Sequence, residues 1–468
     1  MRSLLSAVLF LLALCASPIA QAQSCGSGGG ATVCLTATGN ADNITLNWTV
    51  SGTITNVQVY RDTDSNPNGR NRLASVSSST TSYVDSSAAV GTTYWYWIKF
   101  SAGGKAYNSG AASAVRTGST SGGMRDLTSL QLSKLMSPGW NLGNSLEAIG
   151  GETNWGNPMV NQAIMNGVKA AGFKTVRIPV SWKQYADAND NISASWMARV
   201  TEVVGYARNA GLYAIINIHW DGGWMQPTYA NQNQVNARIT KFWTQIANNF
   251  RNHDDYLLFA GTNEVMIDGD YGTPTVEYYT VQNSFNQTFV NAVRATGGNN
   301  AKRHLVVQGF NTNIDHAYNF FTVPTDTAAN RLMLEVHYYD PYNFALNENS
   351  SIWQWGSIAT DSSATETWAN ESYADAQFQK MKSRFVDGLG MPVIMGEYGA
   401  ILRTEYDSEQ RYRTYWNQYI TRAAYTRGIV PVYWDNGYTT NHQFGLFNRS
   451  TGAQVYSNLI STIVNAAK

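Results

Sequence analysis

Two glutamates stand at the ends of short apolar segments of the sequence. Glu264 follows the run at 257–261, and Glu397 closes the run at 392–397. A carboxyl group that ends an apolar run is poorly solvated, so its pKa rises and it can donate a proton near neutral pH. A second carboxylate can act as a nucleophile when Arg177 and a tyrosine hydroxyl keep it ionised. Hydrolysis of a glycosidic bond requires such a pair of carboxyl groups.

The segments that must position these residues alternate between apolar runs and amphipathic stretches. Eight apolar runs follow one another along the chain, at 139–144, 175–180, 213–219, 257–261, 304–309, 332–337, 392–397 and 430–434. Stretches of helical length separate most of them, at 195–210, 232–251, 276–296, 373–387 and 408–427. Apolar strands separated by helices indicate a parallel sheet that is covered on both faces. Eight such units are the number of a (β/α)8 TIM barrel, so we predict an α/β fold of this kind.

An open, doubly wound sheet is the alternative arrangement of the same elements. It would carry a glycine-rich phosphate-binding turn after its first strand. The first run, Gly139-Trp140-Asn141-Leu142-Gly143-Asn144, lacks that spacing, which favours the barrel.

A barrel places its chemistry where the strands end and the loops to the helices begin. Polar or aromatic residues stand near six predicted strand ends: Arg177, His219, Asn263 with Glu264, His337 with Tyr339, Glu397, and Trp434. One polar residue at a strand end is usually a cap or a salt-bridge partner. Six strand ends that meet at one rim are better explained as an active site.

Four short motifs at these strand ends resemble glycoside hydrolase family 5. They are Thr262-Asn263-Glu264, Val336-His337-Tyr338-Tyr339, Gly396-Glu397-Tyr398-Gly399 and Trp434-Asp435-Asn436-Gly437. The segment from Gly139 to Leu146 resembles the first strand of the endoglucanase branch of that family. The resemblance extends over about residues 127–467.

This resemblance implies a role for each matched residue. Glu264 would be the general acid/base and Glu397 the nucleophile of a retaining double displacement. Asn263 would bind the 2-hydroxyl of the sugar that is cleaved, and Arg177 with Tyr339 would keep Glu397 ionised. Retention also predicts that the two carboxyl groups lie about 5–5.5 Å apart. Neither a metal nor an organic cofactor is implied.

The remaining matched residues are expected to form the cleft. His219 and His337 would line it, and Trp434 would form its floor. Trp220 stands where many relatives have a second histidine, and Val265 stands where proline is common. These departures concern the subfamily and leave the reaction class unchanged.

Tryptophans in or near the predicted loops suggest the substrate. They are Trp155, Trp220, Trp224, Trp353, Trp355 and Trp434. Flat rings stack on the apolar faces of pyranoses, so we expect an endo-β-1,4-glucanase, with Trp220 and Trp224 contacting the polymer beside Trp434. A xyloglucan-specific endo-β-1,4-glucanase, a lichenase or a mannanase remains an alternative. A non-catalytic carbohydrate-binding protein is the alternative from another class.

Composition excludes some partners. The 468 residues carry 32 basic and 32 acidic side chains, so the electrostatic signature of a nucleic-acid binder is absent. Aromatic residues make up 12% and charged residues only 14%, which suits a neutral, hydroxyl-rich ligand or, alternatively, an aromatic-rich core. Asp268 and Asp270 could bind a cation, but an acidic surface turn is the more ordinary explanation. The resemblance implies a monomer, and no membrane partner is expected.

The first 22 residues are typical of a secretory signal peptide. Arg2 is followed by an apolar run and by a small-x-small site that ends at Ala22. A lipoprotein with Cys15 as its anchor is disfavoured, because the large Leu14 precedes that cysteine. The protein is therefore expected to be secreted.

Residues 25–115 have a different composition from the rest. They are rich in Ser, Thr, Val and Gly, with short alternating segments between turns, which predicts a small all-β sandwich that resembles a fibronectin type III domain. Cys25 and Cys34 are expected to form a disulfide in an oxidising compartment. A Gly/Ser-rich linker is predicted at 116–125, and the catalytic domain at 126–468.

The aromatic segment 94–97 lies in this small domain. The strand period places its two tyrosines on one face and its two tryptophans on the other. One pair must belong to the core. The other pair could form a platform for a sugar, or it could pack against the second domain.

Overall fold

The computed structural model divides into two compact units, residues 1–118 and 119–468. The described residues are 23–39, 43–85, 87–89, 92–116 and 123–468. The predicted signal peptide at 1–22, with Cys15, lies outside them, and so does the part of the predicted linker at 117–122.

Nine strands make up the described part of the N-terminal unit. They are β1 Ser24–Gly28, β2 Ala31–Gly39, β3 Ile44–Ser51, β4 Thr55–Asp62, β5 Asn71–Val76, β6 Ser82–Asp85, β7 Thr93–Ala102, β8 Lys105–Asn108 and β9 Ala112–Val115. They form two antiparallel sheets, ordered β1-β2-β3-β6 and β5-β4-β7-β8, with β9 also paired to β7. Both sheets contribute to one apolar core, so the predicted all-β sandwich is present. Cys25 and Cys34 face each other across β1 and β2 and are joined by a disulfide.

The two tyrosines of the aromatic segment of β7 belong to the core of this unit, and its two tryptophans lie outside that core cluster. Tyr96 is fully buried in the core, and Tyr94 packs against that core. Trp97 is also buried, at 3% exposure, and the guanidinium of Arg70 lies 5.3 Å from its ring centre. A ring that is covered in this way offers no face to a sugar. Trp97 therefore cannot be part of the sugar-binding platform that the sequence allowed.

The larger unit is a closed barrel, which confirms the predicted TIM-barrel fold. Its strands are β10 Gly139–Asn141, β11 Thr175–Ile178, β12 Tyr213–Asn217, β13 Leu257–Ala260, β14 Leu305–Gln308, β15 Leu332–Tyr338, β16 Val393–Tyr398 and β17 Ile429–Tyr433. All pair in parallel with their neighbours, and β17 closes the circle by pairing with β10.

Helices accompany the barrel strands, most of them on the outside, while the first of them contributes Leu132 to the apolar cluster inside. They are α1 Ser129–Ser133, α2 Gln162–Ala171, α3 Ala194–Asn209, α4 Tyr229–Asn249, α5 Val276–Ala295, α6 Ile314–Phe320, α7 Tyr342–Ala345, α8 Glu371–Met381, α9 Arg411–Tyr425 and α10 Ser457–Ala466. The longer ones bury an apolar face against the strands and form the main core. None of the described helices combines the length and the apolar composition needed to cross a membrane.

The barrel interior changes from apolar to polar along the strands. Ile215, Val306 and Met333 point inward and cluster with Leu132 and Met136, which precede the first barrel strand. Side chains alternate along a strand, so the residue two positions later also points inward. In this second layer the buried residues are polar: Arg177, Asn217, Gln308 and Glu335. The apolar layer thus closes the barrel at the amino ends of the strands, and the polar groups that could do chemistry lie toward the carboxyl ends.

Candidate active site

Arg177 on β11 is the centre of the polar layer. Its side chain is fully buried, and its guanidinium contacts four residues from four other segments of the barrel. Nη1 donates to Asn141 and to Glu397 at 3.0 Å each, and Nη2 donates to Asn263 at 2.7 Å. Nε lies 2.8 Å from Glu335 Oε1 as an ion pair. A guanidinium holds five N–H donors in a fixed plane on three nitrogens and can therefore reach oxygens on several sides, whereas an ammonium offers three donors on one nitrogen.

Glu397 on β16 is buried beside this arginine, with 8% of its side chain exposed. Arg177 donates to Oε1, and the Tyr339 hydroxyl donates to Oε2 at 3.1 Å. Burial raises the pKa of Glu397, while the positive charges of His337 and Arg177 oppose that rise. Both carboxylate oxygens are therefore fixed in place by donors.

Glu264 occupies a different environment from the one that its sequence predicts. Its side chain is 39% exposed, so the prediction of a poorly solvated carboxyl group at this position is wrong. The physical reason is that β13 ends at Ala260, and Glu264 follows on a loop that borders an open cavity. Its fixed contact is His337, whose Nδ1 lies 2.7 Å from Oε1.

The two glutamates face each other at close range. One carboxylate oxygen of each lies within 4.8 Å of the other and of a ring nitrogen of His337. Retaining glycosidases place their carboxyl groups about 5–5.5 Å apart, and inverting enzymes place them about 6.5–9.5 Å apart. An upper limit of 4.8 Å between one oxygen of each group agrees with the shorter range, which is that of retaining enzymes.

His337 is the cation between the carboxyl groups. Burial would lower its pKa, but the carboxylates of Glu397, Glu264 and Glu335 raise it to about 9. The same ring and the two glutamates are close enough to share a metal ion. A metal bound there would have to displace a ring proton, because both nitrogens of an imidazolium carry one.

The residues predicted to line the cleft lie beside this centre. The rings of His219 and Trp434 are parallel, with centroids 6.0 Å apart. Burial, together with the charges of Arg177 and His337, keeps the pKa of His219 well below its ordinary value, so this ring is neutral. Trp434 is partly exposed and packs closely over Gly143, where a Cβ would lie 2.9 Å from the indole.

A cavity of about 420 Å³ opens next to Glu264. It is bordered by the loops after β12 and β13, with His219, Trp220, Asn263, Asp268 and Tyr271 among its walls. Trp220 is 52% exposed here, as a ring that stacks on a ligand must be.

Trp224 is half-buried and makes contacts within the protein, and its contact with the polymer stays a prediction. Its indole packs edge-on against Phe242, lies under Arg238 and donates to Asp221 at 2.8 Å. These contacts fix the loop after β12 and leave the ring outside the cavity wall. Trp355 is likewise buried, at 2% exposure.

Three polar residues of the site are missing from the sequence-based prediction. Glu335, Gln308 and Asn141 all lie inside apolar strand runs and are buried. Gln308 donates to Glu335 at 2.7 Å and accepts from the backbone N–H of Thr262 at 3.0 Å, directly before Asn263. The available signal was a charged or amide side chain in the middle of an otherwise apolar strand.

Comparison with known proteins assigns the chain to a family. A family model for cellulase (glycosyl hydrolase family 5) matches residues 141–440. Endoglucanase A of Paenibacillus barcinonensis is 44% identical over 364 residues, which are 73% of this chain and 90% of that protein. A xyloglucan-specific endo-β-1,4-glucanase of Bacteroides ovatus is 45% identical over 350 residues, 70% of this chain and 68% of that protein.

Solved structures give the same result. A family 5 xyloglucanase from Paenibacillus pabuli superimposes with a TM-score of 0.70 at 44% identity, covering 72% of this chain and all of that one. A Bacteroides ovatus xyloglucanase in complex with a heptasaccharide also has a TM-score of 0.70, at 33% identity, and covers 95% of this chain and all of that one. The chain belongs to glycoside hydrolase family 5 and is a retaining glycoside hydrolase.

Proposed function

We propose that this protein is a secreted endo-β-1,4-glucanase that cleaves internal bonds of β-glucans, with Glu264 as general acid/base and Glu397 as nucleophile. The observation that carries the assignment is the asymmetry of the close pair. Arg177 and Tyr339 donate to both oxygens of Glu397, whereas Glu264 is open to the cavity. A carboxylate that donors fix on two sides is suited to attack, and an accessible one is suited to proton exchange.

The reaction proceeds in two displacements. Glu264 gives its proton to the glycosidic oxygen while Glu397 attacks the anomeric carbon, so the bond to the leaving sugar breaks and a glycosyl-enzyme ester forms. Glu264, now ionised, then takes a proton from water. The water oxygen attacks the same carbon and releases Glu397. Retention follows, because each displacement inverts the carbon once.

Asn263 contributes to recognition through an orientation that Arg177 determines. Its side-chain oxygen accepts the Nη2 hydrogen bond. The amide NH2 is therefore the end that is available to a sugar hydroxyl, and it would donate to the 2-hydroxyl of the unit that is cleaved. His219 would contact the same unit, and Trp434 would stack beneath it.

Xyloglucan is a second candidate substrate, and a specific observation favours it. The cavity of about 420 Å³ beside Glu264 has Gly223 and Gly269 in its walls, and these residues have no side chains that would fill the space a sugar branch needs. Two of the similar proteins are named as xyloglucanases. Trp220 and Tyr271, which are exposed at the cavity, would then contact the branches.

Release of reducing ends from soluble polymers tests the proposal. Carboxymethyl-cellulose, mixed-linkage glucan, xyloglucan and glucomannan would be compared, with Glu397→Gln as the blank. Highest activity on the first two supports the endoglucanase, and highest activity on xyloglucan supports the second candidate. Preference for glucomannan contradicts both. If Glu397→Gln releases reducing ends as fast as the wild type, the catalytic role of Glu397 is wrong. If neither protein releases reducing ends from any of the four polymers, the alternative of a non-catalytic carbohydrate-binding protein is supported.

The proposal also covers the N-terminal part of the chain and the assembly of the protein. We propose export through the signal peptide at 1–22, action as a monomer, and a fibronectin type III-like identity for the N-terminal sandwich. The sheet order β2-β3-β6 facing β5-β4-β7 supports an immunoglobulin-like connection of strands. Mass spectrometry of the mature N-terminus and light scattering of the purified protein test the first two.

A further inference from the structure

Glu335 is an ionised carboxylate sealed inside the barrel. Only 1% of its side chain is exposed, so it does not touch substrate. It lies two residues before His337 on β15, and both side chains therefore point inward. Burial would raise its pKa, but the charges of Arg177 and His337 and the hydrogen bond from Gln308 lower it to about 2.

The contacts of Glu335 lead directly to both catalytic carboxyl groups. Arg177 Nε lies 2.8 Å from Glu335, and its Nη1 donates to Glu397. His337 Nε2 lies 3.3 Å from Glu335, and its Nδ1 bonds Glu264. Arg177 and His337 thus each contact Glu335 through one nitrogen and a catalytic glutamate through another.

The positive and negative charges around the Glu264–Glu397 pair are equal in number only when one of the carboxyl groups carries a proton. The titratable groups that face it come from β11, from the ends of β12 and β13, and from β15 and β16: Arg177, His219, Glu264, Glu335, His337, Tyr339 and Glu397. His219 and Tyr339 are neutral, because burial lowers the pKa of the first and raises that of the second. Two cations then face three carboxyl groups, of which Glu335 and Glu397 are buried and Glu264 is partly open to solvent. Poor solvation of the buried groups disfavours an unbalanced charge among them.

We propose that Glu335 is a positioning residue whose permanent negative charge keeps one proton on the Glu264–Glu397 pair. Without that charge, the two cations would balance two ionised catalytic carboxylates, and no general acid would remain. The inference rests on the proposed roles of Glu264 and Glu397. The local structure reserves space for the group, because a Cβ on Gly396 of the next strand would overlap the Glu335 carboxylate.

The test is the pH dependence of kcat/KM in Glu335→Gln, which keeps the shape and removes the charge. A less negative cluster releases its next proton at lower pH. The basic limb of the profile should therefore move by about one pH unit toward acid, and the rate on that limb should fall about tenfold. Asp326→Asn is the matched control, since Asp326 is a buried partner of Arg294 outside the site. This control should leave both limbs unmoved.

A second variant separates charge from shape. Glu335→Asp keeps the charge and shortens the reach, so kcat should fall while the basic limb stays within about 0.3 pH units of wild type. Equal displacements of the limb in the two Glu335 variants, or rate loss in Glu335→Gln with unmoved limbs, would overturn the proposal. If Glu335→Gln does not fold, 15N NMR of histidine in the wild type decides. His337 must remain an imidazolium above neutral pH, and a neutral ring at pH 7 overturns the charge count.

Failure here is distinguishable from failure of the proposed function. If Glu264→Gln and Glu397→Gln both retain turnover, the proposed roles are wrong. If both lose turnover while the limbs of Glu335→Gln do not move, only the inference about Glu335 fails.

Discussion

The Tyr339 hydroxyl should control the pH at which the nucleophile becomes active. It donates to Glu397 Oε2 at 3.1 Å, and a hydroxyl donor stabilises the ionised carboxylate. The change Tyr339→Phe removes one oxygen atom and leaves the ring in place. The pKa of Glu397, which burial already raises, should therefore rise further, and the carboxyl group would stay protonated and inactive to a higher pH.

The expected size follows from the contact. A hydrogen bond to a charged group contributes about 1.5–3 kcal/mol, and a tenfold change in an acid dissociation constant corresponds to about 1.4 kcal/mol. The acidic limb of kcat/KM should therefore move up by about one to two pH units. Arg177 still donates to the other oxygen, so the lower end of this range is expected. At a fixed pH below the limb, the rate should fall about tenfold for each pH unit by which the limb has moved.

The assay is kcat/KM on a soluble β-glucan across the pH range, with Tyr398→Phe as the matched control. Tyr398 follows Glu397 on β16 and points to the outer side of that strand, where its hydroxyl lies 2.6 Å from Thr421 Oγ1. Its loss should lower the free energy of unfolding by about 1 kcal/mol and leave the limb unmoved. A Tyr339→Phe enzyme that loses rate equally at every pH would refute the reasoning, because the hydroxyl would then orient substrate and not tune Glu397.

Three further changes test other parts of the structure. Gly396→Ala should lower kcat by about tenfold or more, because its Cβ displaces the Glu335 carboxylate; an unchanged kcat in a folded variant would contradict the packing described. Trp434→Ala should lower kcat/KM on polymers by about 10- to 100-fold through lost apolar contact, and a loss confined to insoluble cellulose would place the ring outside the cleavage site. Replacing Cys25 and Cys34 by serine should destabilise the sandwich by about 2–3 kcal/mol, since the bridge spans 9 residues. Calorimetry of the full chain should show the barrel transition unchanged, and a displacement of both transitions would contradict independent units.

The barrel was predictable from the sequence because its strands are apolar on both faces. The run at 392–397 corresponds to the strand Val393–Tyr398, and the stretch at 276–296 corresponds to the helix Val276–Ala295. Helices on the outside and a packed interior make each strand a nearly continuous apolar run. The same property made the polar layer inside the barrel hard to predict. Glu335 and Gln308 interrupt such runs singly, and their partners are far away along the chain.

Solvation was not predictable, because loops set it. Glu264 ends an apolar run in the sequence, yet its exposure depends on the loop after β12, which borders the cavity from another part of the chain. Trp224 stands in that loop and its position suggests a ligand contact, but Asp221 accepts its N–H and the half-buried ring packs edge-on against Phe242. The local sequence shows which side chain stands at a position, but the packing of loops from distant parts of the chain determines how much of that side chain is exposed to solvent.

The exposure of Glu264 is opposite to what its apolar flank predicts, and it suits the proposed division of labour better. The nucleophile attacks once and must hold its orientation, so burial under Arg177 and Tyr339 is an advantage for Glu397. The acid/base must exchange a proton with water between the two displacements, so an exposed position suits Glu264. In the arrangement proposed above, the charge of Glu335 then acts on the Glu264–Glu397 pair through Arg177 and His337, without contact to the substrate.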